Sequence, residues 1–169
     1  PRNPDMPHVV SPGSLLCVCN YPSNEGYAWD FIESLYAGVA ERLGASGVRT
    51  YVAYPRIDRP PATLGNSGAI PVELDARLGD WASTRATLSF ARQHGVRVVY
   101  LTDRPSRSPY YGALRLLSRV GIVVHDHSSG ARSRPTGLRR AAKWVLARVP
   151  LMQADTVIAV SDYVRRRQI

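Results

Sequence analysis

Cysteine, glycine-rich loops and long apolar runs are scarce or missing in this chain of 169 residues. Its two cysteines, Cys17 and Cys19, lie in one apolar run, where they are too few for a structural zinc site and poorly placed for a disulfide with each other. We therefore expect both to be buried and reduced. No stretch approaches the roughly 20 apolar residues that cross a bilayer. No charged and then apolar segment opens the chain, which predicts a cytoplasmic location.

The predicted loop after the first strand lacks the glycines that bind nucleotides in many α/β enzymes. Residues 20–30 contain one glycine, Gly26, whereas a dinucleotide-binding turn needs several for close approach to the pyrophosphate. The chain also has no Gly-Lys-Ser/Thr phosphate loop and no Gly-x-Ser-x-Gly nucleophile turn. These absences argue against an NAD-dependent oxidoreductase, a P-loop NTPase and an α/β-hydrolase.

Positive charge is what the chain has in excess. The net charge is +9, nearly all of it from arginine, which predicts attraction to an anionic partner such as nucleic acid, an acidic membrane surface or a phosphorylated substrate. Composition does not choose among these partners. Because no nucleic-acid recognition motif is present, we do not expect nucleic acid to be the partner.

Apolar strand patterns and helical patterns alternate along most of the chain. Four prolines and no periodicity mark residues 1–13 as a loose leader, so residues 14–169 form the predicted domain. The predicted strands cover residues 15–19, 48–54, 70–74, 96–101, 121–124 and 155–160, with helices between and after them. The alternation predicts an α/β fold, a doubly wound Rossmann-like domain whose mostly parallel sheet has about six or seven strands and helices on both faces.

The most informative stretch is the apolar run that ends in two histidines. Residues 121–124 predict a central strand buried on both faces, and ligands bind at the carboxyl ends of strands in such sheets. The polar residues expected at these ends are Asn20, Glu25, Asp30, Asp103, Arg104, His125, Asp126, His127, Ser128 and Ser161. An alternative is that Asp126 caps a turn and the histidines are merely exposed. Two histidines and Asp126 at this spacing do not match a metal site, and Ser161 fits a helix cap better than a substrate contact.

A basic segment near the end of the chain has two interpretations. Its cations lie on or beside one amphipathic helix that also carries Trp144, and they are Arg132, Arg134, Arg139, Arg140, Lys143 and Arg148. The face is either solvated or rests on anionic lipid, with each nearby cation contributing up to about 1 kcal/mol. In the second case Arg139, Arg140, Lys143 and Trp144 face the membrane, and the protein is peripheral on the inner face of the cell membrane.

Two segments resemble those of a known enzyme family. The ending Ala154-Asp155-Thr156-Val157-Ile158-Ala159-Val160-Ser161 and the strand end Val123-Val124-His125-Asp126-His127 are similar to segments in the N-terminal domain of family 4 glycosyltransferases. The first unit, a strand, a loop, a long helix ending in glycine and a second strand, is also similar. The resemblance covers residues 15–169, essentially the whole predicted domain.

The resemblance implies the two-domain GT-B fold, in which this half holds the acceptor and a second half holds the nucleotide-sugar. It implies transfer from a nucleotide-sugar donor to a sugar or lipid-linked acceptor, usually with retention and without a required metal or other cofactor. It makes His125 the catalytic residue near the donor sugar. The residues assigned to substrate binding are Asn20, Glu25, Gly26, Asp103, Arg104, Asp126, His127 and Ser161.

Two departures from the family pattern limit this assignment. Ser23-Asn24-Glu25-Gly26 stands where family members commonly have a glycine pair. The chain also starts at Pro1 and stops before the donor domain, so we expect a piece that is inactive alone. The alternative function is a non-catalytic basic α/β module that binds a phosphorylated or sugar ligand, or an anionic membrane surface.

Overall fold

The structure, a computed structural model, describes residues 13–23, 25, 27–127, 137 and 148–168. Six strands alternate with four helices in these residues, and two short 3₁₀ turns lie at Ala62–Leu64 and Pro150–Met152. The elements are β1 (Ser14–Val18), α1 (Tyr27–Gly44), β2 (Thr50–Tyr54), β3 (Ile70–Glu73), α2 (Trp81–His94), β4 (Val96–Thr102), α3 (Pro109–Ser118), β5 (Gly121–Asp126), β6 (Thr156–Ala159) and α4 (Asp162–Gln168). The loose leader predicted for residues 1–13 lies outside the described residues except for Gly13, and the helix predicted from Leu138 to Val149 lies outside them except for residues 148 and 149.

The six strands form one sheet in the order β3-β2-β1-β4-β5-β6, and every pair is parallel. This confirms the predicted Rossmann-like α/β fold. The edge position of β3 is also as predicted, because its proline, Pro71, is tolerated only where the ladder does not need its missing N–H.

The predicted central position of β5 is wrong. The middle of the sheet is occupied by β1 and β4, and β5 lies next to the edge strand β6. The burial along β5 alternates: Ile122 and Val124 are fully buried, whereas Val123 is only partly buried. A continuous apolar run can therefore belong to a strand near the edge of the sheet. Such a run predicts that the strand has apolar neighbours, but it does not predict the position of the strand in the sheet.

Two apolar clusters cover the two faces of the sheet. On one face, strand residues such as Leu16, Val99 and Ile122 pack with Leu88 of α2 and Leu114 of α3. On the other face, Cys17, Cys19, Val52 and Tyr100 pack with Ile32 and Tyr36 of α1. Both cysteines are buried and free, as predicted. Each fully buried large apolar side chain contributes about 1.5–3 kcal/mol to folding.

Local signals place the starts of α2 and α3. The carboxylate of Asp80 accepts a hydrogen bond from the backbone N of Ser83 at 2.7 Å, and the Ser83 hydroxyl returns toward the Asp80 backbone, which is a capping box. Ser108 caps α3, with Pro109 at its first position. Helices α2 and α3 follow β3 and β4, so both helices start where these strands end. We call this end of the sheet, at which all the parallel strands have their carboxyl ends, the carboxyl edge. The opposite end, where the strands begin, is the amino edge.

No helix in the described part of the chain is both long and apolar enough to cross a membrane. The described residues also contain no group of three or more histidine, cysteine and acidic side chains placed to hold a metal ion.

Candidate functional site

A tyrosine and a histidine on neighbouring strands form the centre of the carboxyl edge. The Tyr100 hydroxyl of β4 lies 2.6 Å from Nδ1 of His125, at the end of β5, and the two rings meet edge to face with centroids 5.9 Å apart. Burial, and then the buried thiol of Cys17, raise the pKa of Tyr100 to about 12. The phenol therefore keeps its proton at neutral pH and can donate it to the ring nitrogen.

The pKa of His125 is shifted in the direction that keeps its ring neutral. Burial lowers this pKa most, and the neighbouring His127 lowers it further, while Asp103 and Asp126 raise it by less. A neutral imidazole that accepts a hydrogen bond at Nδ1 carries its hydrogen on Nε2. His125 can then present Nε2–H as a donor to a ligand.

His127 lies against His125 and is held on three sides. Its ring centroid is 3.8 Å from that of His125, and Phe31 of α1 contacts it edge to face at 5.9 Å. Its backbone N donates to Oδ1 of Asp103 at 2.9 Å. Its Nε2 is buried and has no hydrogen-bond partner among the described residues. The two histidines are thus only partly exposed, and their rings contact each other.

Asn20, just after β1, supplies a second polar atom without a partner. Its amide nitrogen donates to the backbone oxygen of Thr102 at 2.5 Å, which ties the end of β1 to the end of β4. Its Oδ1 is buried and has no partner within the part of the chain that the structure describes. Buried polar atoms of proteins are nearly always bonded to protein, water or ligand. Both atoms lie at the carboxyl edge, so they are candidates for hydrogen bonds to a bound molecule.

Asp103 connects the ends of β4 and β5 through a left-handed backbone. Its φ is +52°, its N donates to the backbone oxygen of His125 at 2.9 Å, and its carboxylate receives the N–H of His127. Aspartate tolerates this backbone region better than most residues, and residues held there cluster at functional sites. The next residue, Arg104, turns the other way, and its Nη2 lies 3.5 Å from the position that a Cβ on Gly79 would occupy.

The structure separates the remaining predicted residues from this cluster. Asp126 has no exposed surface, and strand alternation puts it on the face covered by α2 and α3, opposite His125. Glu25 is exposed. The Ser161 hydroxyl accepts from the backbone N of Val164 at 3.3 Å, so it caps α4 as the helix-cap interpretation expected. Gly26, Ser128 and the membrane-facing set Arg139, Arg140, Lys143 and Trp144 lie outside the described residues.

Several residues of the site were missed by the sequence reasoning. Tyr100 and Phe31 belong to patterns that only indicate apolar packing. Outside the site, the sequence reasoning also missed the buried acid Glu33 of α1, which is 2% exposed and whose Oε1 accepts from the Tyr54 hydroxyl at 2.7 Å. The signal available in the sequence was a carboxylate next to Ile32 on the apolar side of the helix, which is unusual for an unpaired acid.

A cleft of about 510 Å³ opens at the amino edge, where Arg49, His94 and Arg97 are among its lining residues. There the Tyr51 hydroxyl lies 3.2 Å from Nδ1 of His94. This tyrosine–histidine contact has the same chemistry as the one between Tyr100 and His125, but it lies at the amino edge, at the opposite end of the strands. It is therefore a matched internal control for experiments on the carboxyl edge.

One family model and two solved structures are similar to this chain. A family model described as Glycosyltransferase Family 4 matches residues 32–169. A glycosyltransferase structure from Rickettsia africae ESF-5 is similar with a TM-score of 0.59 and 12% identity, covering 92% of this chain and 38% of that one. A short-chain dehydrogenase/reductase from Burkholderia vietnamiensis aligns over 93% of this chain and 89% of its own at 18% identity, with a TM-score of 0.38. No curated protein matches the sequence.

Proposed function

Because the chain belongs to Glycosyltransferase Family 4, we propose that it is the acceptor-binding half of an enzyme that moves a sugar from a nucleotide-sugar to an acceptor, with retention of configuration. The family membership supports glycosyl transfer in general. The chain spans 38% of the length of the similar glycosyltransferase structure, which supports a donor-binding half contributed by further residues. We call the two halves together the complete enzyme.

The observation that carries the proposal is that two buried polar atoms without a partner in the described part of the chain lie at the same carboxyl edge as His125. The Oδ1 of Asn20 can accept a hydrogen bond, and the Nε2 of His127 is buried and has no partner among the residues that the structure describes. Sugar hydroxyls both donate and accept, so they can satisfy both atoms at once. A phosphate, which has acceptors only at full ionisation, would leave the Asn20 oxygen unsatisfied. The edge is therefore better suited to a sugar than to a phosphate.

In this proposal His125 acts on the donor sugar as a hydrogen-bond donor. The Tyr100 hydroxyl donates a hydrogen bond to Nδ1 of His125. The Nε2–H group then remains available to a ligand in the cleft between the two halves. A donor aimed at charge that develops in the transition state is worth about 10²–10³ in rate. His125 then needs to accept no proton, in keeping with its lowered pKa.

The other assigned residues complete the proposal. Asn20, Asp103, Arg104 and His127 bind the acceptor side, and Glu25 and Gly26 lie on the loop after β1. No metal ion takes part. A cytoplasmic location, and contact of the basic segment with an anionic membrane surface, remain predictions of the sequence.

The test compares two histidine variants in the complete enzyme. We expect His125→Ala to lower kcat by about 10²–10³ while acceptor binding changes little. His94→Ala, which alters the matched contact at the amino edge, should leave kcat unchanged. Equal turnover of the His125→Ala enzyme and the wild type would make His125 a structural residue only. Steady nucleotide release by the 169-residue chain alone, with acceptor present, would contradict the two-half arrangement.

A further inference from the structure

An aromatic pair lies at the carboxyl edge on the face opposite His125. Trp81 is the first residue of α2 and Tyr110 the second of α3, and their rings meet edge to face with centroids 5.3 Å apart. Tyr110 packs against the apolar cluster of that face, whereas Trp81 is 56% exposed. The pair therefore presents an indole to solvent on a fixed base. We call Trp81, Tyr110 and Arg104 the aromatic subsite.

The exposed indole has no role in building the helix start. The cap of α2 is complete in Asp80 and Ser83, and any residue with helical φ and ψ serves at the first position. The apolar core of that face is filled by other side chains, such as Leu88 and Tyr111. A half-exposed indole on a fixed base offers a large and rigid contact area at low entropic cost, as aromatic side chains do at binding surfaces.

Arg104 adds a positive charge near the start of α2. Its Nη2 lies 3.5 Å from the position that a Cβ on Gly79, two residues before Trp81, would occupy. Nearby Arg77 is neutralised by Asp75, with 2.7 Å between nitrogen and oxygen. Arg104 is close enough to Asp75 for its charge to help lower the pKa of that carboxyl, but no carboxylate within the described residues lies at salt-bridge distance from Arg104. Arg104 is thus available to a carboxylate or phosphate group, which a guanidinium binds through two parallel hydrogen bonds.

Asp103 and Arg104, which are consecutive in the chain, connect the aromatic subsite to the two histidines His125 and His127. The carboxylate of Asp103 bonds to His127 on one side of the sheet, and Arg104 reaches Gly79 and the start of α2 on the other. A ligand that contacts both His125 and Trp81 must therefore extend along the carboxyl edge from one face to the other. Because the two residues lie on opposite faces of the sheet, an oligosaccharide suits this path better than a single sugar.

We propose that the aromatic subsite binds a second sugar ring of the acceptor, remote from the ring that is modified, and that this ring carries an anionic substituent. The apolar C–H face of a pyranose packs on the indole of Trp81 while its hydroxyls stay in water. Arg104 pairs with the substituent. The substrate class is then an acidic oligosaccharide, a conclusion that rests on the proposed function and extends it.

The experiment measures binding of the 169-residue chain to an array of oligosaccharides of two to six rings, in neutral, uronate-bearing and phosphate-bearing forms. We expect binding to charged members of four or more rings. Trp81→Ala should weaken it about tenfold or more, and Trp81→Phe should retain most of it. Arg104→Gln should abolish the preference for charged over neutral members. Leu117→Ala is the matched control, because Leu117 is an exposed apolar residue on α3 at the amino edge.

Three results would overturn the aromatic subsite: no binding to any member of the array, equal binding by the Trp81→Ala chain, or Trp81-dependent binding to anionic vesicles without oligosaccharide binding. Thermal unfolding of each variant shows whether the fold is retained. The two proposals fail separately. If the complete enzyme transfers sugar but Trp81→Ala leaves KM for long acceptors unchanged, only the subsite fails. If Trp81-dependent binding is found without transfer, only the proposed function fails.

Discussion

The hydroxyl of Tyr100 lies 2.6 Å from Nδ1 of His125, on the neighbouring strand. This contact orients the imidazole and favours the tautomer with hydrogen on Nε2. A histidine that only packs at the end of a strand needs no such partner. The relationship therefore links the core of the sheet to the group that we propose acts on the donor sugar.

Tyr100→Phe should remove the preference of His125 for the tautomer with hydrogen on Nε2 and should have little effect on the fold. The variant loses one hydrogen bond, which is worth about 1 kcal/mol of stability, and kcat of the complete enzyme should fall about tenfold because less His125 has its hydrogen on Nε2. ¹⁵N chemical shifts of the ring report the tautomer directly. Tyr51→Phe, at the matched contact with His94, should leave both the His125 shifts and kcat as in the wild type. Unchanged His125 shifts in Tyr100→Phe would contradict the orienting role.

The stability of the protein should rise with pH around the titration of His125. Its folded pKa lies below the ordinary value of about 6.5, so near that pH the unfolded chain binds more protons than the folded one. The contribution is complete above pH 6.5 and is lost as the pH falls through the folded pKa. Urea unfolding of the wild type and His125→Asn between about pH 5 and 8 measures it. A variant with the same slope as the wild type would assign the effect to other groups.

The carboxylate of Glu33 should depend on Tyr54 for its burial. The hydroxyl donates to Glu33 at 2.7 Å, and this carboxylate is 2% exposed. Tyr54→Phe removes the donor, so we expect a loss of about 1–3 kcal/mol in the free energy of unfolding. Adding Glu33→Met should recover much of it, because no charge then remains buried. Tyr163→Phe, at an exposed tyrosine, should change stability by less than about 0.5 kcal/mol. Additive effects of the Tyr54 and Glu33 substitutions would show that the two are not coupled.

The left-handed backbone of Asp103 should make substitutions there depend on backbone preference as well as on charge. At φ +52°, alanine costs about 1–2 kcal/mol and also removes the acceptor for the N–H of His127. Asn tolerates this φ and keeps an oxygen acceptor, so Asp103→Asn should lie between the wild type and Asp103→Ala in both stability and kcat. Thermal unfolding and turnover of the three proteins give the order. An alanine variant as active as the asparagine variant would show that this acceptor does not position His127.

Local patterns made much of the fold predictable. The six strands, the proline at the edge strand β3, the cap at Asp80 and the cap at Ser161 follow from residues close together in the chain. The position of His125 at a strand end is of the same kind. These features depend on side-chain periodicity, backbone preference and capping, and each of these acts over a few neighbouring residues.

What the sequence by itself determined, then, is which segments are strands and helices and which polar residues stand at the strand ends. Only the tertiary structure decided that β5 lies beside the edge strand, that Tyr100 meets His125, and that Trp81 meets Tyr110 across two helices. These contacts depend on strand order, register and helix packing, which join residues distant in the chain. The apolar pattern of a strand is the same whichever strands lie beside it. The pattern therefore does not predict which residues of other strands or helices its side chains will contact. The site is therefore made of residues that the sequence contains but does not pair.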